Sequence, residues 1–210
     1  MMKRIITFLS LCLAFGTAWA QMQPLTDLTD FENKLKNNVS ALNTIESDFK
    51  QIKHLDMFSE DVESSGKFAY MKESKIRMQY TKPIDYLVVI NDGKLKIVAD
   101  GKKSIMALNT NKMMNGMQDM LTACMVGDLN RMRDGYNIEY QEDDKHYQVS
   151  ITPKSQAVRD YITRIRILLN KSDMSVDELY MFENEDDYTK YIFSNKRFNQ
   201  IKDDSIFSIN

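Results

Sequence analysis

The chain has 210 residues, with 28 basic against 30 acidic side chains and a formal net charge of −2. Both signs are interspersed, which argues against the concentrated basic face that nucleic-acid binding needs. No apolar run reaches the roughly twenty residues of a membrane-spanning helix, and the remaining length suits one domain with a sizeable core.

The first twenty residues read as an export signal. Lys3 and Arg4 give a positive start, residues 5–15 are apolar, and Ala18-Trp19-Ala20 supplies small residues for cleavage. Cleavage after Ala20 and export are therefore expected, with a single domain over 21–210. Cys12 follows Leu11, where lipidation would want a small residue, so a lipid anchor on this cysteine is not expected. Cys124 is then the one remaining thiol, which excludes an intramolecular disulfide and leaves stability to packing. Methionine is abundant, 15 in all; its flexible thioether suits either ordinary core filling or a surface that repacks around varied apolar partners.

Leu28, Phe31, Leu35, Val39 and Leu42 recur at helical spacing, and Thr29 with Glu32 forms a capping-box pattern. From Thr44 the period becomes two. Ile76, Met78 and Tyr80 alternate with Lys75, Arg77 and Gln79, which puts the apolar set on one sheet face. Residues 86–90 lead through Asn91-Asp92-Gly93 into 94–99, a hairpin signal, and Asp100-Gly101 turns into 103–108. Met113, Met117, Met120, Leu121 and Met125 return to helical spacing, so one or two short helices are predicted between 112 and 133. Strands resume at 136–140, 147–152, 161–169, 176–183 and 187–195. The predicted fold is mainly β: an antiparallel meander of about 10–11 strands that curls into a barrel or half-barrel, with an N-terminal helix before it and helices inserted in its middle.

Catalytic signals are weak. His54, His146 and Cys124 are isolated residues of their types, with no third group to organise a nucleophile. Gly101-Lys102-Lys103-Ser104 departs from a phosphate loop, since Lys96 stands where the first glycine belongs and Lys103 separates lysine from serine. The run Glu183, Glu185, Asp186, Asp187 lacks calcium-loop spacing. No enzyme activity, metal or cofactor is expected. A large curved sheet does pose a question: its concave apolar face needs either full cover from the helices or a guest.

The stretch 66–83, Gly-Lys-Phe-Ala-Tyr-Met-Lys-Glu-Ser-Lys-Ile-Arg-Met-Gln-Tyr-Thr-Lys-Pro, resembles a recognisable segment of the LolA-type periplasmic outer-membrane lipoprotein carriers. Residues 42–51, Asn91-Asp92-Gly93-Lys94, Ile151-Thr152-Pro153-Lys154 and 198–207 resemble further segments in the same order. The resemblance implies an α+β fold, an incomplete, strongly curved antiparallel barrel that encloses an apolar cavity, with the N-terminal and inserted helices as a lid over the concave face. Its partners would be acylated lipoproteins, an inner-membrane ABC transporter and an outer-membrane receptor, with the carrier a monomer. It also implies a basic lid latch at Lys72, where an arginine is usual, followed by Glu73 where a proline is usual. Met78 stands where tryptophan is often found. A sensing or lipid-binding protein of the same fold, without a transport role, remains the alternative.

Alternation from Lys72 selects Tyr70 and Phe68 as cavity-lining, with Ile76, Met78 and Tyr80 on the next strand. Phe49, Leu87, Val89, Leu95 and Ile97 complete the expected acyl site. Met117, Met120, Leu121 and Met125 are expected on the inner face of the lid, with Lys72 as its latch.

Overall fold

The computed structural model describes residues 22–108, 120, 122–124, 126, 128, 129 and 134–210. Helix α1 spans Leu28–Ala41 and buries Phe31 and Leu35. Its cap is not the predicted Thr29 box. The Asp27 carboxylate accepts from the Asp30 amide at 2.9 Å, where it both satisfies an orphan donor and meets the positive end of the helix dipole.

Twelve strands follow the alternating pattern. The first half comprises β1 (Gln23–Pro24), β2 (Thr44–His54), β3 (Val62–Met71), β4 (Lys75–Lys82), β5 (Tyr86–Asn91), β6 (Lys94–Ala99) and β7 (Lys102–Ala107). The second comprises β8 (Tyr136–Glu142), β9 (His146–Pro153), β10 (Arg164–Asn170), β11 (Val176–Phe182) and β12 (Tyr188–Phe198). One strand exceeds the prediction because the two residues of β1 are too few to carry a pattern. A short helix, α2 (Gln156–Arg159), occupies the approach to β10, so that strand starts at Arg164 rather than Tyr161. A 3-10 turn, η1 (Asp204–Phe207), lies near the C-terminus.

All neighbouring strands pair antiparallel, in the order β1-β8-β9-β10-β11-β12-β2-β3-β4-β5-β6-β7. Two meanders, β2 to β7 and β8 to β12, are joined by one long-range pairing that sets Phe193 opposite Phe49 and Tyr191 opposite Gln51. The sheet is open, ending on β1 and β7, and forms a curved, incomplete barrel with helices, as predicted. Met120, Thr122, Ala123, Cys124 and Val126 are helical residues of the middle segment.

The two faces of the sheet bury different partners. On the inner face Ile45, Phe49, Phe68, Tyr70, Ile76, Met78 and Tyr80 join Val149, Ile151, Ile165, Ile167, Leu169, Leu179 and Phe193 in one core with Phe31 and Leu35 of α1. On the outer face of β3 to β6 a smaller cluster forms around Ala69, Val89 and Phe207, with Leu87, Met71, Ile201 and Ile209 against it. The C-terminal segment thus acts as a strap. Lys96, nearly buried, donates from Nζ to the Ser208 and Asn210 carbonyls, while the Asn91 amide donates to the Phe207 carbonyl at 3.1 Å. Farther round the outer face Arg164 and Arg166 lie 4.3 and 4.1 Å over the Phe182 and Tyr180 rings.

Candidate functional site

The inner face is built in register. Phe68 pairs with Met78 and Tyr70 with Ile76 across β3 and β4, and Met78 pairs in turn with Val88 on β5. Side chains of paired residues share a face, so Phe49, Phe68, Tyr70, Ile76, Met78 and Tyr80 all stand on the inner side, where each is buried. Val88 pairs with Ile97 and Ile90 with Leu95, which places Leu95 and Ile97 on that side too, half-buried and outside the packed core.

Leu87 and Val89 require a correction. They pair with Gln79 and Arg77, point to the outer face, and pack under the C-terminal strap. The inner-facing residues of β5 are Tyr86, Val88 and Ile90. Residues 86–90 are apolar on both sides because both sides are covered, so alternation alone could not set their phase.

Gly66 has a specific job on this wall. A Cβ there would lie 2.0 Å from the Gln79 carbonyl oxygen and 2.9 Å from the Phe49 ring, so only glycine lets the β4 backbone and the Phe49 ring approach this closely. The strand register shifts at the same point, between Ser65 and Gly66. Phe49 meets Tyr80 edge-on at 4.9 Å, Tyr80 stacks on Tyr86 at 4.0 Å, and the Tyr80 hydroxyl donates to Gln51 Oε1 at 2.7 Å. Burial pushes the Tyr80 phenol well above its ordinary value, so this end of the inner face carries a neutral, hydrogen-bonded Tyr80.

The other end is open. A cleft of about 320 Å³ lies between the C-terminal end of α1, the β3–β4 turn and the middle helix, lined by Val39, Leu42, Tyr70, Lys72, Thr122, Ala123 and Val126, among others. Among the described residues most of the rest of the inner face is a packed core, with Leu95 and Ile97 of β6 standing outside it. Lys72 stands at the cleft's rim. Its Nζ donates to the Ser40 carbonyl of α1 at 2.8 Å, and its amide donates to the Asn43 carbonyl at 2.9 Å. An ammonium placed on the last carbonyls of a helix satisfies orphan acceptors and complements the dipole. Glu73 and Ser74 have φ of 70° and 63°. A proline at 73, fixed near −65°, could not form this turn.

Two hydroxyls in this region, Thr122 Oγ1 and Ser47 Oγ, are buried without a hydrogen-bond partner among the described residues. Met120 is buried in the core; Met117, Leu121 and Met125 lie outside the described residues. Val39, Leu42, Thr122, Ala123 and Val126 were not selected as lining residues. The helical period of α1 marks Val39 and Leu42 as inward, but not as the wall of a cleft.

The histidines and the thiol stand apart from one another in the structure. His54 pairs with Asp61 at 2.7 Å and stacks on Tyr188, while His146 lies near Asp143 and Asp177. Cys124 is fully buried, and desolvation pushes its thiol up to about 12, far from a reactive thiolate. Among the described residues no helix is long and apolar enough to cross a membrane.

Several solved structures are similar to this chain. A structure of the Pseudomonas aeruginosa MucA/MucB complex matches at 13% identity and TM-score 0.50, over 85% of this chain and 59% of that one. A LolA superfamily protein from Nitrosomonas europaea matches at 9% identity and TM-score 0.43, over 84% and 96%. The lipoprotein LppX of Mycobacterium tuberculosis matches at 8% identity and TM-score 0.42, over 82% and 94%. No curated protein sequence matches at a significant level. At these identities the likeness is one of fold. The family profile described as outer membrane lipoprotein carrier protein LolA matches residues 40–210, from the last turn of α1 through both meanders to the C-terminal strap. With the Gly66 strand, the Lys72 turn and the open half-barrel in the same chain, the protein belongs to the LolA outer membrane lipoprotein carrier family.

Proposed function

We propose that the protein is a periplasmic carrier that takes lipoprotein acyl chains between its inner sheet face and its helices and moves them from the inner to the outer membrane. Export is through residues 1–20, and the carrier is the single domain over 21–210. Its cargo is received from an inner-membrane ABC transporter and given to an outer-membrane receptor, and the work is binding rather than catalysis. The observation that carries this reading is the Lys72 cleft, an opening at the seam between sheet and helices whose wall is shared between apolar side chains (Val39, Leu42, Tyr70, Ala123, Val126) and polar ones (Lys72, Glu73, Ser74, Thr122, Asp128).

Sixteen buried methylenes are worth on the order of 12 kcal/mol, enough to trap a cargo permanently. A core that refills the site with Phe68, Met78 and Met120 when empty offsets part of that gain and makes release feasible. Thr122 Oγ1, buried at the cleft without a partner among the described residues, donates in this reading to a cargo ester oxygen when the helices part.

The test is uptake of a fluorescent sixteen-carbon fatty acid by the mature chain, with competition by a triacylated lipopeptide. Val39→Trp fills the cleft from the helix side and is expected to weaken uptake at least tenfold at unchanged circular dichroism. Unaltered uptake would remove the cleft as the entry. Native mass spectrometry of protein recovered from the envelope distinguishes acylated protein from free lipid, the latter favouring the lipid-binding alternative.

A further inference from the structure

The most exposed large apolar side chains among the described residues gather at the end of the sheet opposite the Lys72 cleft. Met57 is 82% and Phe58 55% exposed in the β2–β3 turn, Val62 is 55% exposed at the start of β3, and Ile84 is 62% exposed in the β4–β5 turn. Strand pairing sets these turns side by side, since Val62 pairs with Lys53 and Ser65 with Lys82. An apolar group of this kind, rimmed by charge, is a candidate contact surface.

The surrounding charge selects the partner. Residues 55–63 and 183–187 contain eight aspartates and glutamates and no lysine or arginine. One hydrogen bond joins the two turns, from the Asp56 amide to Asp187 Oδ1 at 2.8 Å, while Asn184 Oδ1 orders the 183–187 turn itself by accepting from the Asp186 and Asp187 amides at 2.8 and 2.7 Å. Between the turns lies a cleft of about 380 Å³ lined by Asp56, Met57, Asn184, Glu185, Asp186 and Asp187. Glu183 is already paired with Lys53 at 3.2 Å and Asp61 with His54 at 2.7 Å. Asp56, Glu185 and Asp186 make no ion pair among the described residues, so their charge is available to a visitor.

We propose that this end docks a basic segment of a partner protein, with one Lys or Arg side chain entering the acidic cleft along Met57 while apolar residues of the partner cover Phe58, Val62 and Ile84. Met57 suits the aliphatic stem and the carboxylates suit the cationic head. An anionic bilayer is the poorer occupant, because the carboxylates would repel its head groups. The ten residues of β3 separate this surface from the Lys72 cleft by about 30 Å, so docking leaves the cargo opening free. The inference does not depend on the lipid-carrier reading.

Fluorescence anisotropy with defined peptides tests it: one carries two arginines alternating with two leucines in a Gly/Ser frame, and the other has aspartates in place of the arginines. The mature chain is expected to bind the arginine peptide at least tenfold more tightly than the aspartate peptide, with an affinity that falls as salt rises. Both E185Q/D186N and M57S/F58S are expected to weaken it at least fivefold while fatty-acid uptake stays unchanged, which separates this surface from the cargo site. The proposal is overturned by absence of arginine-peptide binding, by equal affinity for the two peptides, or by variants that bind like the parent. It is equally overturned if M57S/F58S instead abolishes sedimentation with phosphatidylglycerol vesicles or self-association of the chain, which would assign the patch to a bilayer or to a second copy.

Discussion

Replacing Lys72 by alanine removes the Nζ bond to the Ser40 carbonyl but keeps the Lys72 backbone amide on Asn43. The lost interaction is a charge-assisted hydrogen bond at a helix C-terminus, partly exposed, and worth about 1 kcal/mol. That amount shifts an equilibrium between docked and undocked α1 about fivefold toward the undocked state. Hydrogen exchange reads it directly. Protection of the amides in the last turns of α1, including the Leu42 amide bonded to the Asn38 carbonyl, should fall about fivefold, with β9 and β10 unaffected. Fatty-acid uptake should accelerate by a similar factor, and Lys72→Arg should restore both. Exchange and uptake indistinguishable from the parent in Lys72→Ala would refute the latch.

The other predictions address the frame around the site. Gly66→Ala forces a carbon into the Gln79 carbonyl and the Phe49 ring, and should cost about 3 kcal/mol or more in urea unfolding. Glu142 is held at about 2, first by the Lys171 ammonium and then by the Thr26 amide and hydroxyl. This depressed group contributes stability that is complete above its ordinary value of 4.5 and is lost as the pH falls toward 2. Glu142→Gln should therefore flatten the stability profile over that window, and a profile parallel to the parent would refute the assignment. Lys96→Met removes the buried donor to the Ser208 and Asn210 carbonyls. The strap should then become sensitive to carboxypeptidase, with loss of Phe207 within the time the parent stays intact.

Strand periodicity located nearly every strand of this fold, and on β4, where one face is wet, it also separated the two faces. Ile76, Met78 and Tyr80 alternate with Lys75, Arg77 and Gln79, and their burial follows that pattern. A period of two is ambiguous by one residue when both faces are dry, and β5 is such a strand. The phase there was decided by pairing with β4 and by the C-terminal strap, more than a hundred residues away, so Leu87 and Val89 face outward. Lys72 could be singled out by resemblance alone, but its acceptor on Ser40 depends on how α1 returns across the sheet, a long-range contact that local pattern does not encode. The sequence by itself determined the alternation, the turns and the family; the tertiary structure decided which residues meet at the cleft, because that opening lies between elements whose relative placement is set by packing and not by period.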